Sequence, residues 1–306
     1  MTIARRTRTL VVMTIAAIAA AGLTAVAEAQ SQTTDAAQGA LELTSNLGRK
    51  LYALPDDNAV TAARAKLAAD TNNASLAVAL SQAQAGRRQY REAVETCTKA
   101  LAAAPDNVDL LIERGHRELG LRNFTAAQAD LERATSLDPK KIDGFYHLGL
   151  AHYFQAQFDA AADAFRKALA LAPNNDNVID CTNWLYVSLR RAGKDDEAAQ
   201  VLGKITPDIK NAGPHYAFYL RLLHFYQGSI SELDVMPPKP KDPNDTEAEL
   251  AFDTVTYGVG NWHLCAHDPD RPRELFQRVV AGEAWNAWGF VASEVELARM
   301  GAAAPR

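Results

Sequence analysis

The stretch that decides the fold is Ile142–Pro173, "IDGFYHLGLAHYFQAQFDAAADAFRKALALAP". Its closing phrase, "ALALAPNN" around Pro173, has two forerunners. "ATSLDPKK" surrounds Pro139 and "ALAAAPDN" surrounds Pro105, so the three prolines stand 34 residues apart. Small residues keep the same interval: Ala93, Ala127 and Ala161, then Ala100, Ala134 and Ala168. Gly149 repeats Gly115, with Ser81 in that place one unit earlier, and Tyr90, Phe124 and Phe158 share another slot. Each period holds two helices whose apolar residues, three and four apart, share a face. The proline stops the second helix and sets the turn into the next unit. Glycine and alanine at fixed places let the paired helices approach closely. No single unit buries its own apolar face, so neighbours must stack.

A 34-residue period of this kind resembles the tetratricopeptide repeat, in three consecutive units over 74–175 that begin at Ala74, Val108 and Ile142. The resemblance implies an all-α fold, a right-handed superhelical solenoid of helix-turn-helix units. The pattern then weakens. Residues 176–236 read as degenerate units four and five, starting near Ile179 and Pro214, the fifth with a truncated second helix. Residues 237–247 are a proline-rich loop. Residues 248–306 read as a sixth unit from about Asp253 and a final helix with Glu294 and Glu296 facing water as a solvating cap. Before the repeats, 30–73 reads as a polar, disordered start followed by capping helices, one of them beginning near Asp57. The phrases "LGRKLYALP", "RGHRELGLRNFTAAQADLERA" and "WGFVASEVELAR" are similar to those of a group of bacterial secreted tetratricopeptide proteins. That likeness implies fold and export and adds nothing on chemistry.

The first 29 residues form a separate segment. Arg5, Arg6 and Arg8 precede an apolar run from Leu10 to about Ala27, and Ala27 and Ala29 frame an A-x-A site. This is the pattern of a secretory signal peptide cut after Ala29, which predicts a periplasmic or secreted protein. A retained membrane anchor is the alternative. Cleavage removes three arginines and one glutamate, taking the formal charge from −5 to −7. An acidic mature chain argues against nucleic acid or an anionic membrane surface as partner. Cys97, Cys181 and Cys265 are scattered and odd in number, so no disulfide framework is expected.

In this repeat the first helix of each unit lines the concave side. The count along those helices places Ile112, His116, Tyr146, Leu150, Tyr153, Phe154, Arg190, Arg191, Phe218, Leu222, Phe225, Tyr226, Tyr257 and Asn261 there. An exposed aromatic wall of that size predicts use as a binding surface. The expected function is a non-catalytic exported scaffold or adaptor that holds a peptide or protein segment, oriented by Arg190 and Arg191. Three alternatives remain: ordinary burial of these side chains, self-association through the same wall, and an enzyme or metal-dependent module in the irregular C-terminal half. The carboxylate clamp of some tetratricopeptide domains would fall at Val78, Gln82, Glu113, Asp143 and His147, which carry the wrong groups and acids that repel a carboxylate. His263 and His267 flank Cys265 one turn apart without a glutamate between them, and Gly258–Gly260 lacks a dinucleotide fingerprint. No catalytic, metal or cofactor residues are assigned.

Overall fold

Why the chain forms paired helices is visible in the way each pair turns. The computed structural model describes residues 39–210, 213–242, 245–268 and 270–301, the side chains of 214 and 215 excepted. The expected signal peptide at 1–29 and the polar stretch after it, up to residue 38, lie outside the described residues. Six helical hairpins follow one another among the described residues. They are α2 (Ala74–Gly86) with α3 (Tyr90–Ala103), α4 (Val108–Gly120) with α5 (Phe124–Leu137), and α6 (Ile142–Phe154) with α7 (Phe158–Ala170). Then come α8 (Asn175–Arg191) with α9 (Asp195–Leu202), α10 (Pro214–Tyr226) with the four-residue α11 (Glu232–Val235), and α12 (Thr246–Cys265) with α13 (Arg271–Val280). A helix α1 (Asn58–Ala69) precedes them and α14 (Trp288–Arg299) closes the chain.

Each pair turns on one left-handed residue: Arg88, Arg122, Ala156, Gly193, Gly228 and His267, with φ between 58° and 73°. The next amide reaches back five positions in every case, as from Gln157 N to His152 O (3.0 Å), Lys194 N to Leu189 O (2.9 Å) and Asp268 N to His263 O (3.1 Å). This is the helix-ending motif that satisfies the last carbonyls of the first helix. In units two, three and six a glycine lies seven residues before the left-handed residue, at a point of close packing. A Cβ on Gly149 would stand 2.7 Å from the Phe165 ring, and one on Gly260 would stand 2.6 Å from Phe276. In both pairs glycine meets the residue sixteen positions later, so the sixth unit keeps the packing of the third after the sequence phrase has faded. Stacked in series, these hairpins form an all-α solenoid, and no helix among the described residues is long and apolar enough to cross a membrane.

Two expectations are corrected at the ends. Part of the N-terminal stretch read as capping helices is instead an antiparallel hairpin, β1 (Leu41–Thr44) with β2 (Lys50–Tyr52), bulged between Leu41 and Leu43. Leu43 and Leu51 enter the core from it, and the buried Glu42 carboxylate accepts from Arg91 N at 3.0 Å. Only α1 is helical there, and Asp57 caps it by accepting from Ala59 N and Val60 N.

The second correction concerns α14, which is not a solvating cap. Gly289 to Leu297 are all buried, Glu294 at 0% and Glu296 at 2% exposure. The helix packs on α12 and α13 and reaches α6. Its two acids are matched by cations from far along the chain. Arg122 donates to Glu294 Oε2 from Nη2 (2.8 Å) and Nε (3.0 Å), while Asn46 N donates to Oε1 (2.7 Å). Arg191 and Arg299 donate to Glu296 Oε1 at 2.7 and 2.6 Å. Arg49, beyond β1, donates to Val280 O and Gly282 O at 2.8 and 2.6 Å. The two ends of the solenoid therefore meet, and the last helix fills the space they enclose.

Candidate functional site

The inner wall stays open where the last helix does not reach. The first helices of the three regular units, α2, α4 and α6, border a cleft of about 610 Å³. Ser75, Val78 and Gln82 come from α2. Asp109, Ile112, Glu113, His116 and Arg117 come from α4, and Asp143 and His147 from α6. The one-per-turn spacing of these residues on each helix is what brings them to one surface.

The charges in the cleft are largely satisfied within it. Glu113 accepts from Arg117 Nε at 2.8 Å and from Ser81 Oγ at 2.7 Å. Lys141 pairs with Asp109 at 2.7 Å. His116 and His147 stack with ring centroids 4.1 Å apart, and Trp288 of α14 closes over His116 at 5.4 Å. Burial first, and then the Arg117 guanidinium, hold the His116 imidazole well below its usual range. Burial lowers His147 too, against the pull of Asp143. The result is a cleft of apolar, amide and neutral imidazole surface with two internal ion pairs and one further acid, Asp143. That suits an extended chain with its own backbone groups better than a highly charged ligand.

The structure divides the residues expected along the inner wall. Ile112 and His116 line the cleft. Tyr146 borders an adjoining hollow, where its hydroxyl donates to Asp180 at 3.0 Å. The rest do not face an open groove. Leu150, Tyr153, Phe154, Phe218, Leu222, Phe225, Tyr226, Tyr257 and Asn261 are buried, none more than 9% exposed. The reason is that α12 and α14 occupy the inner side of units three to five. Tyr153 and Tyr257 hydroxyls meet at 2.6 Å, with Asn261 Oδ1 accepting from Tyr153 at 3.2 Å. Tyr226 stacks on Tyr186 at 4.5 Å, and Leu222 lies against Gly258. Arg191 is engaged with Glu296 and sits over the Phe158 ring at 4.4 Å. Arg190 pairs with Asp195 at 2.8 Å and donates to the Tyr186 hydroxyl at 2.9 Å. Neither arginine is placed to orient a ligand.

Val78, Gln82, Glu113, Asp143 and His147, the positions of the missing clamp, are the ones that line the cleft. Asn286 and Trp288 were not legible as site residues, because no repeat register links the start of α14 and the turn before it to α4, whereas Asp180 stands one 34-residue period after Tyr146, and that spacing is the signal that could have found it. His263 bridges Glu232 (2.8 Å) and Asp268 (3.3 Å), and His267 is the left-handed turn residue, so the two histidines serve separate local structures.

Residues 142–175 match the tetratricopeptide repeat family model. No curated protein matches the chain. Among solved structures, one described as a MamA protein is 24% identical over 48% of this chain and 79% of its own, with a TM-score of 0.43. Another, YrrB, described as a TPR protein with an unusual peptide-binding site, is 14% identical over 73% of this chain and 93% of its own, also with a TM-score of 0.43. With scores below 0.5, the assignment rests on the matched repeat and on the two neighbouring units that share its period and turn. On that ground residues 142–175 are a tetratricopeptide repeat, and the two units before them repeat its period and its turn.

Proposed function

We propose that this protein is a non-catalytic adaptor that holds a peptide or protein segment in the cleft of α2, α4 and α6. The observation that carries the reading is that the first helices of the three regular units keep an open face, while the remainder of the inner wall is closed by the chain itself. Helical repeats offer such a face to extended partners because adjacent first helices present side chains in a regular row. The half-buried Val78 and the rim of Ile112 supply apolar contact, and Gln82 and Asn107 supply amide groups for a partner's backbone. Export belongs to this reading. N-terminal sequencing of the protein recovered outside the cytoplasm should begin at Gln30.

The binding site is tested by filling it. Peptides selected from a random library on the wild-type protein should bind Val78→Trp at least tenfold more weakly, because the indole occupies the cleft floor. Tyr153→Phe, in the core beside Tyr257 and Trp184, should leave the affinity unchanged. Equal binding to wild type and Val78→Trp would place the partner elsewhere.

A further inference from the structure

Beside the cleft lies a second hollow of about 390 Å³, bounded by α2, α4, α6, α8, α10, α12, the first residues of α3 and α14, and the α13–α14 connection. Gln82, His116 and Arg117 line both, so the two adjoin. Its walls are rich in rings: Tyr90, Tyr146, Tyr219, Trp288 and the His116 imidazole. One carboxylate, Asp180 on α8, belongs to this lining.

The electrostatics of Asp180 are unusual. Its carboxyl is pushed up to about 7 by burial, and the hydrogen bond from the Tyr146 hydroxyl is what opposes the rise. No cation among the described residues contributes to that balance. The groups that sense its charge are phenols and a thiol: Tyr146, Tyr216, Tyr219 and Cys181. The guanidinium that does line the hollow, Arg117, is already held by Glu113. Asn286, also in the lining, offers an Oδ1 that is buried and has no hydrogen-bond partner among the described residues. The hollow thus combines ring faces, an unneutralised carboxylate and a spare acceptor.

We propose that this hollow recognises a primary ammonium group carried by the segment in the cleft, an inference that rests on the binding reading above. An ammonium ion fits each element. It donates to Asp180 in a charge-assisted hydrogen bond, donates to Asn286 Oδ1, and is attracted by the electron-rich faces of Trp288 and the tyrosines. A carboxylate or phosphate would meet Asp180 unscreened. The ammonium can come from a lysine side chain or from a peptide's amino terminus, and the two need different probes.

The test is amide NMR of the full mature protein with three probes. Nα-acetyl-lysine methylamide carries a side-chain ammonium, alanine methylamide carries an α-ammonium, and Nα,Nε-diacetyl-lysine methylamide carries neither. At least one ammonium probe should shift the amides of Tyr146, Asp180 and Trp288 saturably, and the stronger of the two names the source. The diacetylated probe should not shift them. Asp180→Asn should weaken the ammonium probe at least tenfold, whereas Tyr90→Phe, which leaves Asp180 and its hydrogen bond from Tyr146 in place, should retain binding. Shifts of equal size from the diacetylated probe, or equal losses in the two variants, would overturn the inference. Selected peptides that depend on Val78 while neither ammonium probe touches the hollow would overturn it and leave the cleft reading standing. Ammonium shifts in a protein whose peptide binding ignores Val78→Trp would support the hollow and remove the cleft.

Discussion

Glu294→Ala should destabilise the protein by about 3–5 kcal/mol, the usual cost of leaving one partner of a buried ion pair alone. The side chains of Arg122 and Glu294 are 5% and 0% exposed, so neither charge has recourse to water. The carboxylate is the common acceptor for Arg122 on the second unit's turn and for Asn46 beyond β1, 172 and 248 residues away in sequence. Its loss strands the guanidinium, left among the described residues with the carbonyls Gly120 O (2.6 Å) and Trp285 O (2.9 Å) and the rings of Trp285 and Phe290, and frees the Asn46 amide. Replacing both members, Arg122→Met with Glu294→Leu, removes the stranded charge and should recover more than half of the loss. Urea unfolding of the three variants measures this. A cost below about 1 kcal/mol for Glu294→Ala would mean that the pair is solvated and that α14 does not sit inside the solenoid.

Asp253→Asn should act in the opposite direction. Asp253 on α12 is 0% exposed, and neither carboxylate oxygen has a hydrogen-bond partner among the described residues. Burial, reinforced by Glu249 one turn earlier and opposed by Arg49, pushes the carboxyl up to about 9. A carboxyl whose pKa is raised on folding binds its proton more tightly in the folded state. It therefore costs nothing below about pH 4, and the cost grows until the pH passes about 9. At pH 7 that is on the order of 4 kcal/mol, which the neutral amide avoids while keeping the shape. The gap in stability between Asp253→Asn and wild type should be near zero at pH 4 and widen steadily to pH 9. A gap that is constant with pH would show that Asp253 is solvated in the folded protein.

The parts of the fold that were legible in the sequence are those whose contacts stay within a unit or reach the next one. Ala127 and Ala161 repeat because each sits in the same helix-helix contact, at 0% exposure. Gly149 and Phe165 repeat as Gly260 and Phe276 for the same reason. Units four to six lose the proline phrase, yet Gly193 and Gly228 still mark the turn, and only His267 hides it. Closure of the solenoid could not be read this way. Two glutamates on the final helix look like a wet face until Arg122 and Arg191 arrive from other units. The same fact explains the aromatic wall. Register places Ile112 and Tyr153 on equivalent inner faces, and register alone does not reveal that α12 and α14 cover one and leave the other at the cleft. The β1–β2 hairpin, with strands of four and three residues, is too short and too bulged for its alternation to stand out.

Hydrogen exchange along α14 tests the central claim most directly, since amides inside a packed core open only with the whole fold whereas those of an outer helix open locally. Amides from Val291 to Leu297 should exchange as slowly as those from Leu148 to Tyr153 in α6. Exchange there faster by orders of magnitude, with α6 still protected, would mean that the last helix lies outside and that the inner wall is open along its full length.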